Sequence, residues 1–333
     1  MALPLVSLLT PVYNGEKYLT ECIESIRSQQ YRNWEYLIVN NCSTDATADI
    51  AERYAVADSR IRIFNNREFV GIIRNHNIAL SLISQESKYC KVVSADDWIA
   101  PDCISKMVEL AEAHPTIAMV GSYQLSGEGI KWRGLPRDLQ VVSGREVCRE
   151  CLSGSLDVLG APTSCLYRAD LVRGNKPFFP HLLPHADTSA CYKYLQNADF
   201  GFVHDVLSTE RVHRQQASSK VNEINMGAAA HFHNLLEYGP IYFSEEELET
   251  CINKFLEGYY RFLGGCMLKL REKAFWEYQT GRFKELGYPI LWRKVIKGAI
   301  DEVRDEMQHP RTAFHKFKAV INQKYAELSK KAP

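Results

Sequence analysis

Three short stretches of this chain combine residue types that can do chemistry. Asp96 and Asp97, in Ser94-Ala95-Asp96-Asp97, are adjacent carboxylates. Side by side they repel, and holding both ionised calls for a cation. Mg2+ or Mn2+ with oxygen ligands would serve, and would at the same time bridge a diphosphate. Thr10-Pro11-Val12-Tyr13-Asn14-Gly15 offers an aromatic ring beside hydrogen-bonding groups, where a nucleobase could stack. Asn40-Asn41-Cys42-Ser43-Thr44-Asp45 offers amides suited to base edges. An Asp-Asp pair by itself is weak evidence, because turns and helix caps also use aspartate.

What matters is where these stretches fall. Apolar, β-prone runs at 5–10, 34–39, 60–64, 89–93 and 117–123 alternate with amphipathic stretches at 16–29, about 45–57, 73–84 and beyond Pro101. Ile78, Leu82 and Ile83 are expected to face inward from the third of these helices, and Ser43-Thr44-Asp45 supplies cap chemistry for the second. Strands alternating with helices of this length imply an α/β fold with a mainly parallel sheet and helices on both faces. Ligands of such sheets bind at the edge formed by the strand C-terminal ends. All three chemical stretches lie at such ends.

Taken in order, Thr10–Leu19, Asn40–Asp45, Arg74-Asn75 and Ser94–Asp97 resemble the family-2 glycosyltransferases. The resemblance covers residues 4 to about 215, and its motifs are weak singly and strong in this order. It implies a GT-A fold, the nucleotide-diphospho-sugar transferase architecture, and inverting, metal-dependent transfer of a sugar to an acceptor hydroxyl. By resemblance, Pro11 and Tyr13 would pack on base and ribose, Asn41 would read the base, and Asp96 would contact ribose or sugar. Asp97 would ligate Mn2+ or Mg2+, and Arg74 would approach phosphate or sugar. His185-Ala186-Asp187, ahead of a helix, resembles the acidic motif that supplies the catalytic base, Asp187. Arg211-Val212-His213 resembles an element that closes on the diphosphate. The chain departs from the family pattern at Asn40-Asn41, at Ser94 and at Ala186, where acidic residues are usual. Asparagine still donates and accepts at a base edge but brings no charge.

The implied partners are a nucleotide-diphospho-sugar donor, with a UDP-sugar favoured, and a saccharide or lipid-linked acceptor. Polysaccharide or glycolipid synthesis is the implied setting. A nucleotidyltransferase would carry a glycine-rich, basic first loop, and 10–15 is neither. A glycosyltransferase-like module that binds without turnover is the rival from another class; Asn40-Asn41 and Ser94 favour it, and Asp97 with Asp187 oppose it.

The expected domains are 1–218 (a nucleotide-binding half 1–125, an acceptor-binding half 126–218) and a helical C-terminal region 219–333. Charge divides the same way: residues 254–333 hold 17 Lys+Arg against 9 Asp+Glu, although the whole chain sums to zero. With Phe275, Trp276, Tyr278, Phe283, Tyr288 and Trp292 among these cations, the region reads either as a packed helical core or as a peripheral membrane contact. No motif accompanies the charge that would indicate nucleic acid. The ten cysteines are scattered, Cys148-x-x-Cys151 has no second pair for zinc, and Pro180 and Pro184 interrupt any helix that would pair His181 with His185 as metal ligands. No signal peptide or apolar run of spanning length is read from the sequence, so a cytoplasmic enzyme is expected.

Overall fold

The computed structural model describes residues 3–180, 185–213, 216, 221, 223–269 and 271–308. The expected boundary at 218 and His181 lie outside them.

Four strands, β1 (Leu5–Val12), β2 (Trp34–Asn40), β3 (Ile61–Asn65) and β4 (Ser87–Val92), pair in parallel in the order β3-β2-β1-β4. The central pair, β1 and β2, are mostly runs of Val, Leu and Ile, as suits strands covered on both faces, whereas edge strand β3 is half exposed and β4 carries Lys88 and Lys91. The connections are α1 (Leu19–Arg27), α2 (Thr47–Ala57) and α3 (Ile72–Ser81). Val6, Leu8 and Val12 share one cluster with Leu19 and Ile23 of α1, Ile50 of α2, and Ile104 and Met107 of α4 (Cys103–Ala113). Side chains alternate along a strand, so Leu9 points to the other face, where α3 packs on β1 and β2. The inward residues of α3 are Asn75, Ala79 and Leu80, not the expected Ile78 and Leu82. The helix ends at Ser81, so Leu82 lies at its C-cap, and Ile83 is buried only beyond it.

Pro11 interrupts no ladder. The pairing of β1 with β4 ends at Leu9, while β2 continues alongside to Asn40. Val12 pairs with Asn40 and Asn40 with Asn65, so three strands end level and open their loops on one edge.

Beyond β4 the sheet becomes mixed. β6 (Ile117–Ser126) and β10 (Asp199–Glu210) are parallel, with β9 (Cys165–Arg168) antiparallel between β4 and β6. A 3-10 turn, Pro162–Ser164, leads into β9. The hairpin partner β7 (Gly129–Lys131) extends β6, and β8 (Val141–Ser143) extends β10. Two-residue β5 (Trp98–Ile99) follows Asp96-Asp97 directly and pairs with Ser208 and Thr209. That short pairing delivers the end of β10 to the Asp96-Asp97 loop. Helices α5 (Gly144–Leu152), α6 (Ala169–Gly174) and α7 (Ala186–Tyr194) complete this part.

The helical region comprises α8 (Met226–Tyr242), α9 (Glu245–Leu268), α10 (Lys273–Glu285) and α11 (Trp292–Gln308). The chain divides into two compact units, and the first takes back residues 233–248, which the expected boundary gave to the C-terminal region. The reason is polar as well as apolar. The Ser189 hydroxyl donates to buried Asn234 at 2.7 Å, and the Tyr242 hydroxyl donates to the Tyr192 carbonyl, so α7 is held by α8. Within the second unit, Phe232, Phe255, Tyr259 and Phe283 stack ring on ring. Phe275 and Phe283 are 2% and 1% exposed, so these two aromatics are core rather than an interfacial patch. None of the described helices is long and apolar enough to cross a membrane.

Candidate active site

The loops after β1 and β2 are laced together by short polar side chains. The Asn14 N–H donates to Ser43 Oγ, the Gly15 N–H to Thr47 Oγ1, and the Thr44 N–H to Asn14 Oδ1, all at 2.8–2.9 Å. Asp45 accepts from the Glu16 and Thr47 N–H groups, but the N-cap of α2 is Ala46 and not one of the expected Ser43, Thr44 or Asp45. A Cβ at Gly15 would lie 2.6 Å from a Val12 methyl, so only glycine lets this loop close. Asn14, Cys42 and His185 all take left-handed backbone angles, which places local strain at the strand-end loops and ahead of Asp187.

Tyr13 is 49% exposed on this edge and meets Phe69, 61% exposed, edge to face at 4.8 Å. Two exposed rings at a strand end form an apolar platform of two faces set at 64° to one another. Phe69 carries no sequence signal beyond its aromaticity. Its position is set by Asn41, whose side chain pairs with Val70 as a strand would. Asn41 Nδ2 donates to the Val70 carbonyl at 2.8 Å, and Oδ1 accepts the Val70 N–H at 3.0 Å. Oδ1 also accepts from Asn66, which donates in turn to buried Asn75. Asn41 is buried, so its amide holds the 66–71 loop and turns away from the platform. An aspartate here could not donate to Val70, which explains the departure from the family pattern.

At the end of β4, the two aspartates have different environments. Asp97 is 6% exposed. Its Oδ2 accepts the Thr163 hydroxyl at 2.8 Å and its Oδ1 the Arg211 N–H at 3.2 Å. Burial, and then the charge of Asp96, push its carboxyl up to about 7. Asp96 is the more accessible of the two, with Oδ2 3.0 Å from His213 Nε2. Arg211 is committed to the protein. Its guanidinium lies over Tyr18 and Trp98 at 4.6 and 4.8 Å, bonds Glu21, and reaches the Asp96 carbonyl. His213 packs its ring on Tyr18 at 4.9 Å. The structure therefore joins Asp96, Asp97, Arg211 and His213, and adds Thr163, Tyr18 and Glu21.

Asp187 lies within the first turn of α7, half-buried, with Oδ1 accepting the Thr188 N–H at 2.9 Å. The N-cap is His185, not Asp187. Asp187 shares no hydrogen bond or ion pair with the Asp96 cluster; its charge acts on His76 of α3, whose imidazole burial holds below its usual pKa. Arg74 is exposed on α3 without a polar partner among the described residues. Cavities of about 520 and 490 Å³ on the first unit, around Arg149 and Tyr242 and around Arg168 and Tyr194, contain none of these residues. The candidate site is the open strand edge.

This sheet order and strand-end site define a GT-A fold. Residues 7–171 match Glycosyl transferase family 2, and the chain carries a domain of that family. EpsH of Bacillus subtilis, described as a candidate glycosyltransferase, is 39% identical over 112 residues, 33% of this chain and 31% of that protein. TuaG of the same organism, described as a candidate glycosyltransferase of teichuronic acid biosynthesis, is 35% identical over 106 residues, 32% of this chain and 41% of TuaG. The chain thus spans well under half the length of these relatives. Among solved structures, Staphylococcus aureus TarS residues 1–349 with UDP-GlcNAc aligns with TM-score 0.61 at 20% identity, covering 84% of this chain and 80% of that one. The mannosyltransferase PcManGT of Pyrobaculum calidifontis, with GDP-Man and Mn2+, aligns with TM-score 0.55 at 18% identity over 92% of this chain and 89% of its own.

Two outcomes follow for stability. Asn41→Asp puts a second acceptor against the Val70 carbonyl and should destabilise the protein by about 1–3 kcal/mol at pH 8. The deficit should shrink toward pH 4, where the new carboxyl protonates and can donate; a deficit independent of pH in urea unfolding would refute this account. Asp97 titrates near 3.8 when unfolded and about 7 when folded. In metal-free protein its contribution is therefore full below about pH 4 and is lost as pH rises through 7. Unfolding free energies in EDTA should show that fall in the wild type and a flatter profile in Asp97→Asn.

Proposed function

We propose that the chain is an inverting, divalent-metal-dependent glycosyltransferase that moves a sugar from a nucleoside diphosphate to an acceptor hydroxyl. Polysaccharide or glycolipid synthesis is the setting we favour. The observation that carries the reading is the pairing of Asp96 with His213 at the sheet edge, beside the Tyr13–Phe69 platform on the same domain. The similarity to TuaG, described as a candidate glycosyltransferase of teichuronic acid biosynthesis, supports the setting.

A metal suits this site. Asp96 offers an accessible carboxylate and His213 an imidazole, while a second carboxylate stands directly behind. Among the described residues no group of three or more such donors forms a complete cage. Mg2+ and Mn2+ are commonly held by one or two protein ligands together with substrate phosphates. We therefore assign Asp96, not Asp97, as the main ligand, with His213 at its side, because both Asp97 oxygens are already engaged. A bound divalent ion supplies Lewis acidity that offsets charge on the departing diphosphate.

The chain's own residues do the rest. Tyr13 and Phe69 receive the base, and Pro11, buried in β1 two residues before Tyr13, supports the loop that carries Tyr13. Arg74, exposed and without a polar partner among the described residues, supplies a cation to a phosphate or sugar oxygen. Asp187 accepts the acceptor hydroxyl's proton at Oδ2, since Oδ1 is occupied by the Thr188 N–H. As that proton leaves, the acceptor oxygen bonds to the anomeric carbon and the bond from that carbon to the diphosphate oxygen breaks. One displacement inverts the anomeric centre. UDP is the first nucleotide to try, because TarS was solved with UDP-GlcNAc; GDP follows from PcManGT.

Asp187→Asn should keep diphosphate binding and lower transfer by about 10²–10⁴-fold, whereas Asp96→Ala should lose metal-dependent binding itself. Turnover unchanged in Asp187→Asn would sink the base assignment. Failure of the wild type to bind UDP or GDP with Mn2+ would favour the non-catalytic module.

We extend the reading to a membrane contact through α11. Trp292, Ile296, Ile300, Val303 and Met307 are all exposed. At 3.6 residues per turn they lie within an arc of about 80°. Arg293, Lys297 and Arg304 border that arc, while Glu302 and Asp305 are paired with Arg261. An apolar stripe edged by cations suits an anionic lipid surface. The chain should sediment with phosphatidylglycerol vesicles and not with phosphatidylcholine, and Ile296→Glu with Ile300→Glu should abolish it. No sedimentation, or self-association through this stripe by light scattering, would count against it.

A further inference from the structure

Lys91 lies next to the C-terminal end of β4 and is fully buried. Its ammonium donates to the Thr163 carbonyl at 2.6 Å and the Cys165 carbonyl at 3.2 Å. Among the described residues no carboxylate pairs with it. A buried lysine without a counter-ion is costly to keep, so its use calls for an explanation. What it fastens is the 3-10 turn Pro162–Ser164, and the turn presents the Thr163 side chain to the loop that ends β4.

The Thr163 hydroxyl, itself fully buried, touches both ends of that loop. It accepts the Ser94 N–H at 3.1 Å, lies 3.1 Å from the Ser94 hydroxyl, and donates to Asp97 Oδ2 at 2.8 Å. Asp97 Oδ1 in turn accepts the Arg211 N–H, which fixes the chain as it leaves β10. Two residues later His213 Nε2 stands 3.0 Å from Asp96 Oδ2. The connection thus runs from Lys91 through Thr163 and Asp97 to the Asp96–His213 pair, crossing from β4 to β9 to β10.

We propose that Thr163, braced by Lys91, is a positioning residue that sets Asp96 and His213 in the geometry that receives the metal–diphosphate. This rests on the transferase reading above. Thr163 touches no ligand in this scheme and acts through Asp97. Its hydroxyl is the requirement, so serine should serve and valine should not. Lys91 is needed for where it holds the turn, so methionine, of similar length but without a donor, should fail in the same way.

The test is calorimetric titration of UDP and of GDP into the full chain at a series of Mn2+ concentrations. Thr163→Val should raise the Mn2+ concentration for half-maximal nucleotide binding by about 10–100-fold. Thr163→Ser should stay within a few-fold of wild type. Circular dichroism melts accompany each variant, and Lys91→Met, which leaves every loop group in place, substitutes where Thr163→Val does not fold. Should a variant melt earlier yet keep the wild-type Mn2+ dependence, Thr163 is structural only and the proposal is overturned. Serine shifted as far as valine overturns it too. Wild-type protein that binds neither diphosphate fails the transferase reading itself, a result separate from either of those.

Discussion

Asp97 carries a carboxyl group into the protein interior, where an ionised carboxylate without partners would cost several kcal/mol. Two donors drawn from distant parts of the chain offset part of that cost, and burial still holds the carboxyl up at about 7. One is the Thr163 hydroxyl, 66 residues later, and the other is the Arg211 N–H, 114 residues later. Because a carboxylate oxygen accepts from a defined direction, each bond fixes the segment that donates to it. The turn before β9 and the exit from β10 are therefore both referenced to one side chain at the end of β4. The two residues of β5 make the same connection through the backbone.

Such an arrangement gives the sheet edge its division of labour. The parallel half, β3-β2-β1-β4, supplies loops that are laced by Asn14, Ser43, Asp45 and Thr47 and floored by Asn41. The mixed half brings Arg211 and His213 back to the same edge. Arg211, clamped between Tyr18 and Trp98 and bonded to Glu21, works as a fastener on this edge more than as a free cation. It is the next residue but one, His213, that reaches Asp96. A short pairing, a buried carboxyl and a sandwiched guanidinium thus converge on one imidazole–carboxylate pair.

Much of this was legible in the sequence where the signal was local. Strand-end motifs at Thr10–Gly15, Asn40–Asp45 and Ser94–Asp97 fall where periodicity placed them, and the parallel half of the sheet follows from the same alternation. Long-range burial was not legible. Nothing in Asp96-Asp97 says which carboxyl turns inward, because that depends on a hydroxyl that arrives from residue 163. Asn41 reads as a base-reading amide in isolation, and only Val70, 29 residues on, shows that its donor is needed to hold a loop. The boundary near 218 was drawn where strands gave way to helices, but Asn234 and Tyr242 bond to α7, so the first unit extends further than its pattern.

The asparagines at 40 and 41 bear on how departures from a family pattern should be read. Replacing aspartate removes charge, which suggests a weakened site if the position is assumed to face a ligand. Here Asn40 and Asn41 look inward: Asn40 bonds Asn65 and the Ser43 N–H, and Asn41 bonds Val70 and Asn66. An amide both donates and accepts, so the side chains of Asn40, Asn41, Asn65, Asn66 and Asn75 link the ends of β2 and β3 to α3 with no charge buried. Aspartates in the same places would need cations or protons to be buried there. The 66–71 loop is therefore held by neutral groups, and the surface it presents beside Tyr13 is the ring of Phe69. On the transferase reading proposed above, such a surface would meet a base by its face more than by its edge, because the amides of Asn40 and Asn41 are spent on the protein itself.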